Sequence, residues 1–355
     1  MDVTVLRPDE LTAADIDSWH AMQCADLALA SPFMSPEFAR VVGHQRATAR
    51  VARLTRGSRT VGFFPFERHA LGFGKPIGSG FCDCQGLIHE PGLGWDPMEL
   101  LRACGLATWE YDHLAAGQIP FETEGTHLAK ATSPIIELNS EAQTYVERLR
   151  HSFVKALRRK ERKLGREVGP LRLVFEEADP KLLDTLIRWK SAQLRAKGHL
   201  DMLSKVWFLT ILRELFGLPS EFCSGIVSVL YAGEEPVAMR YQLLSRRVLA
   251  SWFPVYHSRF SRYSPGILLC LKLAETAGTR GIAYIDLGKG TEHYKTDLKT
   301  AELSLSEGYV ERHTAKAALC RLRMASDSAV HAAVRANPTL HRAAARAANV
   351  AERLR

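Results

Sequence analysis

The chain has 355 residues, 46% of them hydrophobic and 24% charged, with a formal net charge of +8. This length favours two domains over one, and no run approaches the ~20 apolar residues that a membrane span needs. The charge is uneven: residues 155–166 hold seven basic side chains and one acid, residues 314–355 hold eight and two, and the remainder is mildly acidic. That asymmetry bears on partners rather than on fold. The opening MDVTVLRPDE lacks the basic start and apolar stretch of a secretory signal. The seven cysteines are scattered, and Cys82 and Cys84 are too close for a zinc knuckle. The expectation is a cytoplasmic protein with reduced thiols and no metal site.

In chain order, residues 1–145 read as mixed α and β. A helix should open after Ser35 with Pro36 at its first position. Two strands should flank a turn at Gly57-Ser58, because Ala49, Val51 and Leu54 alternate and 61–66 is apolar. A helix should end near Gly105, and a short strand should cover 133–138. A basic helix follows from about Glu141 to Arg166, with Val154, Leu157, Glu161 and Leu164 on one stripe. It reads either as a solvated helix between two halves or as an attractor of anions. From 171 the pattern restarts with a strand, then helices at 179–196 and 204–216. Three antiparallel strands should occupy 225–232, 236–244 and 247–256. A helix at 265–278, a strand at 282–287, a short helix at 291–297 and strands around 301–312 complete the body. Beyond 314 the chain is rich in Ala and Arg and breaks at Asn337-Pro338. The order predicts an α+β fold with mostly antiparallel sheets flanked by helices.

The segment from Trp252 to Gly266 carries the most chemistry. A strand ends near Tyr256, Arg259 and Arg262 follow, and Ser264-Pro265-Gly266 reads as N-cap, first position and close-approach glycine of a helix. Ile267–Leu271 is apolar almost all round, so that helix must be buried, with its bare N–H groups facing outward. Beside two arginines this is an anion site suited to a pyrophosphate. The bland alternative is an ordinary capped helix with incidental arginines. The stretch YIDLGKGTEHYK at 284–295 resembles a nucleotide loop only in part. Gly290 stands where a Walker motif has Ser or Thr, and no glycine lies five residues before Gly288.

Taken together, WFPVYHSRFSRYSPG and DLGKGTEHYK resemble the signature of GNAT-type acetyltransferases of the CelD-like, cellulose-biosynthesis group. The likeness extends in order and spacing over roughly 145–312, and more loosely to SPFMSPEF in the first half. It implies two tandem GNAT-like domains, related to Fem-type aminoacyl-tRNA ligases. Their expected bounds are 1–145 and 146–313, with a helical tail at 314–355. The cofactor implied is acetyl-CoA or another acyl-CoA, held by Arg259, Arg262, Tyr263, Ser264 and Gly266, with Lys295 as a further phosphate contact. The usual GNAT loop is kept only in its first residue type and one glycine. Tyr294 is the implied acid for the departing thiolate, and Asp286 and His293 are candidate bases. No nucleophile set is evident, so direct transfer from the thioester fits better than a covalent intermediate. Lys190, Gln193, Arg240, Gln242 and Trp252 are expected to meet the acceptor.

Three functions compete. The first is acyl transfer to an amino sugar or hydroxyl in envelope or exopolysaccharide synthesis, where the resemblance alone supplies the saccharide. The second is a Fem-type ligase whose 155–166 helix binds RNA phosphates. The third is a non-catalytic scaffold docking on a synthase or an anionic membrane through its tail.

Overall fold

A computed structural model of the chain describes residues 1–138, 144–290 and 292–322. The tail expected to dock on partners lies, from 323 onward, outside the described residues. The backbone divides into two compact units. One holds residues 1–131, 194–211 and 304–322, and the other holds 132–193 and 212–303.

The elements follow the local signals closely. β1 (Asp2–Leu6) precedes α1 (Ala13–Ala25), and α2 (Pro36–Gln45) opens where Ser35 Oγ accepts the Phe38 N–H at 3.1 Å. β2 (Ala49–Arg56) and β3 (Arg59–Arg68) join through Gly57, whose φ of 59° only glycine holds without strain. β4 (Phe73–Pro76), β5 (Ile88–His89), α3 (Pro97–Ala103), β6 (Thr108–Ala115) and α4 (Ile119–Glu124) follow. The short strand expected at 133–138 is the end of a longer one, β7 (Thr126–Glu137). The basic helix α5 (His151–Glu167) begins later than expected, after a 3-10 turn at Tyr145–Arg148. Then come β8 (Leu171–Glu177), α6 (Pro180–Ala196), α7 (Val206–Leu215), β9 (Ser224–Ala232), β10 (Glu235–Leu244) and β11 (Val248–Tyr256). α8 (Pro265–Gly278), β12 (Tyr284–Asp286), α9 (His293–Leu298) and β13 (Ala301–Glu311) close the described body.

In the first unit the strand order is β1-β2-β3-β4-β6-β13, with β5 on β3. Its core is aromatic: Phe64, Phe66, Trp109, Tyr111 and Phe121 are buried together. In the second unit the order is β7-β12-β11-β10-β9-β8. Each unit runs three antiparallel strands, then a helix, then a strand parallel to the third: β2-β3-β4-α3-β6 in one, with the two-residue β5 intervening before α3, and β9-β10-β11-α8-β12 in the other. A parallel neighbour requires such a crossover. The repeated order is what the duplicated α+β expectation called for.

The second unit's core forms where α8 and α5 cover one face of its sheet. Leu268, Leu269, Leu271 and Leu273 of α8 pack with Leu157 and Leu164 of α5 and with Ile226, Leu230, Ala238 and Leu249 of the strands. At roughly 25 cal/mol per Å², each fully buried Leu or Ile contributes about 1.5–3 kcal/mol, which explains why α8 is apolar almost all round.

Candidate active site

β11 is much longer than β12. The two pair only from Val248↔Tyr284 to Ala250↔Asp286. Past that point β11 runs on to Tyr256, while the other chain turns away through Gly288, at φ 75°, and Gly290, at φ 146°. The sheet therefore splits into a notch with Ser251–Tyr256 on one side and the 287–290 turn on the other. Pro254 lies on this outrunning stretch, where a missing N–H is tolerated. Its carbonyl accepts Lys190 Nζ at 2.9 Å, and Gln193 Oε1 accepts the same ammonium at 3.2 Å. The expected acceptor residues Lys190 and Gln193 thus stand together at the notch.

At the start of α8 the structure changes the expected roles. Ser264 is not a side-chain cap. Its backbone is left-handed, φ 54° and ψ 51°, and its hydroxyl bonds no helix N–H. Among the described residues only Leu71 shares a positive φ without being glycine. A left-handed serine costs about 1–2 kcal/mol, a strain typical of functional sites. The hydroxyl instead accepts Lys160 Nζ at 2.7 Å. Pro265 has no N–H, and the Gly266 N–H meets no acceptor among the described residues. A Cβ on Gly266 would make only ordinary contact, with Tyr256 at 3.6 Å, so the glycine leaves open space rather than relieving a clash.

The two arginines are less free than the sequence implies. Arg259 is ion-paired with Glu235 and lies 4.6 Å over the Phe260 ring. Arg262 is 67% exposed, 3.0 Å from Glu167 and 4.8 Å over the Tyr263 ring. Tyr263 is itself core, with its hydroxyl donating to Glu167 rather than facing a ligand. That hydrogen bond, with the charges of Lys163 and Arg262, holds the Glu167 carboxyl below its ordinary range. Lys160 pairs with no carboxylate among the described residues, and its only hydrogen bond is to Ser264. It is the cation that sequence reasoning missed. The basic run was visible, but which of its side chains reaches residue 264 depends on how α5 packs.

The equivalent helix of the first unit carries the opposite charge. α3 starts on Asp96, whose carboxylate caps the Glu99 N–H at 2.9 Å, with Glu99 in its first turn. Two carboxylates there repel an anion.

The 284–295 stretch is a braced turn. Asp286 Oδ1 accepts the Gly288 N–H at 2.8 Å and the Ser133 hydroxyl. Lys295 is buried, and its ammonium meets Gly288 O at 2.9 Å, Lys289 O at 3.1 Å and Glu292 at 3.1 Å. Three partners occupy its three donors, so it clamps the turn instead of reaching a phosphate. The His293 side chain is 90% exposed, 3.9 Å from the Asp297 carboxylate, and no other described residue fixes it as a general base. Tyr294 is half-buried against the core, and its hydroxyl has no hydrogen-bond partner among the described residues. Burial raises its pKa above the ordinary 10, and the Arg240 charge draws it part of the way back. It stays protonated at neutral pH.

Strand alternation separates the remaining candidates. Arg240 and Gln242 share the face of Ala238 and Leu249, under α8, where Arg240 Nη1 donates to Ser251 Oγ at 2.8 Å. Asp286 follows Ile285, which faces that core, so Asp286 points to the opposite face. Trp252 is half-buried, stacked 5.1 Å from Phe253. Among the described residues no cluster of ligating side chains suits a metal, and no helix is long and apolar enough to cross a membrane.

Residues 151–296 match the family model of an acetyltransferase (GNAT) domain. None of the curated proteins compared matches the chain. Among solved structures, FemX aligns with a TM-score of 0.58 at 10% identity, over 86% of this chain and 97% of that one. A C-terminal domain named for a lysylphosphatidylglycerol synthetase of Agrobacterium fabrum aligns at 0.53 with 11% identity, over 87% and 95%. L-PGS from Bacillus licheniformis aligns at 0.52 with 11% identity, over 83% and 91%. At these identities the structural likeness is one of fold. The stretch that matches the acetyltransferase (GNAT) domain model, residues 151–296, contains the notch and the cationic start of α8.

Proposed function

We propose that the chain transfers an acyl group, acetyl in the simplest case, from acyl-CoA to an amine or hydroxyl of a saccharide acceptor. The observation that carries this is the notch between β11 and β12, with Lys160, Ser264 and the bare Gly266 N–H at the α8 start beside it. The pyrophosphate of the coenzyme lies on those groups, with Arg262 at the rim. GNAT acetyltransferases take acyl-CoA donors, and the match over 151–296 supports that donor class here. The thioester enters the notch, and the acceptor approaches past Lys190 and Gln193. Its nucleophile attacks the thioester carbonyl, the C–S bond breaks, and Tyr294 gives its proton to the departing thiolate. Burial keeps that hydroxyl protonated at neutral pH, so its proton is in place as the C–S bond breaks, and the proton the acceptor's nucleophile loses returns to the tyrosinate. Asp286 acts through the turn it braces. A saccharide acceptor rests on the CelD-like resemblance of the WFPVYH and DLGKG segments.

Calorimetry with acetyl-CoA tests the donor. Micromolar binding by the wild type, weakened in Arg262→Glu, supports this reading, and thiol release against a panel of amino sugars then identifies the acceptor. A second reading, transfer from an aminoacyl-tRNA, is favoured by the fold likeness to FemX and by five exposed cations on α5: Lys155, Arg159, Arg162, Lys163 and Arg166. If acetyl-CoA fails to bind while charged tRNA binds with a steep salt dependence, this second reading replaces the first.

A further inference from the structure

The sheet face under α8 is apolar except for one polar band. Among Ile226, Leu230, Ala238 and Leu249 lie Ser228, Arg240, Gln242 and Ser251. Arg240 is 2% exposed, and Gln242 and Ser228 are fully buried. The hydrogen bonds joining them are few. Arg240 Nη1 donates to Ser251 Oγ at 2.8 Å, and Gln242 Nε2 to Ser228 Oγ at 2.8 Å. Arg240 Nε and Gln242 Oε1 are sealed from solvent and have no partner among the described residues. No carboxylate of the described residues forms an ion pair with Arg240.

A buried guanidinium without a counter-charge is strongly destabilising, and an apolar residue of similar volume would fold better. Its presence calls for a ligand whose charge completes it. Ser251, the residue that accepts from Arg240, is the first on β11 beyond the reach of β12, and it is 8% exposed. Tyr294 packs against the same core cluster as Ile226, Leu230, Ala238 and Leu249, the strand residues that flank the band.

We propose that Arg240 and Gln242 form a buried receptor for an anionic group of the acceptor, a carboxylate or a phosphate, with Gln242 Oε1 taking an adjacent hydroxyl or amine hydrogen. This deepens the acyl-transfer reading and rests on it for the identity of the ligand as acceptor. It makes the acceptor an acidic saccharide rather than a neutral one. Two unsatisfied atoms of opposite character, a donor and an acceptor, match a ligand that carries both an anion and a hydroxyl.

The test is thermal unfolding at fixed ionic strength with glucuronate, glucose 6-phosphate or neutral glucose, on wild type, Lys160→Met and Arg240→Met. At ten times Kd, an anionic sugar should raise the wild-type Tm by roughly 2–4 °C and neutral glucose should not. Lys160→Met, which disables the α8 site, should keep that response. Arg240→Met should lose it while melting, without ligand, at or above the wild-type temperature. Comparing the two acidic sugars tells carboxylate from phosphate. Should Arg240→Met not fold, Gln242→Leu serves instead, with a Kd about tenfold weaker. An anion response unchanged by these substitutions, or absent from the wild type, overturns the proposal. Acetyl-CoA calorimetry separates the two readings. An Arg240-dependent anion response without coenzyme binding removes the acyl-CoA reading and leaves the receptor. Coenzyme binding without the anion response does the reverse.

Discussion

Replacing Lys160 with Met isolates the cation that tertiary packing adds to the α8 start. The side chain keeps its length and loses a charge that lies 2.7 Å from Ser264 Oγ. A unit charge about 4 Å from a phosphate oxygen interacts by about 4 kcal/mol at an effective dielectric near 20, before desolvation of the ammonium is subtracted. Charge-assisted hydrogen bonds to such a group contribute about 1.5–3 kcal/mol net, so a loss of about 2 kcal/mol is expected. That corresponds to an acetyl-CoA Kd roughly 30-fold weaker. The assay is calorimetry at 50 and 150 mM salt, with Arg159→Met as control. Arg159 is on the same helix, exposed and without a carboxylate partner among the described residues. Its removal changes the net charge identically, so at 150 mM salt, where screening acts over about 8 Å, it should cost less than twofold. If Lys160→Met binds within twofold of wild type, or Arg159→Met costs as much, the helix-start site is not where the coenzyme's phosphates lie.

Other outcomes follow from the same geometry. Tyr294→Phe should lower kcat by about 100-fold or more and leave the acetyl-CoA Kd within twofold, because only the proton donor is removed; steady-state kinetics beside calorimetry checks this. Gly288→Ala should lower stability by about 1–2 kcal/mol, since its φ of 75° is left-handed, and denaturant melts would show it as a lower midpoint at unchanged slope. Glu161 ties α5 to α8 through Lys272 at 2.6 Å and also meets Arg158 at 2.9 Å. Burial alone would raise its carboxyl, but those two cations outweigh it and the pKa falls below 4.5. Its contribution is therefore complete above about pH 4.5 and lost as pH falls through the folded value. Glu161→Gln should flatten the acid limb of Tm against pH, and an unchanged limb would assign acid unfolding to other groups.

Much of this protein is set locally and is legible in its residues. Helix α8 spans Pro265–Gly278 as the Ser-Pro-Gly start and apolar run predict, because a proline fixes the first turn and burial needs no long-range information to be anticipated. The glycines at 57, 233, 288 and 290 mark turns because their positive φ is a property of single residues. The split between antiparallel strands and a helical crossover follows from strand length and turn spacing, so the α+β order of the second half was readable. The function of individual polar groups was not. Ser264 was read as a cap, yet its backbone is left-handed and its hydroxyl meets a lysine 104 positions earlier. Lys295 was read as a phosphate ligand, yet its donors close on the turn before it. Asp286 and Arg240 read alike as charged residues near one site, and only the pairing register of β10, β11 and β12 sends them to opposite faces. A sequence fixes which groups a chain carries and the local conformations they favour. Which donor finds which acceptor depends on strand register and helix packing across a hundred or more residues, and that decided where Lys160, the Gly266 N–H and the Arg240 guanidinium lie.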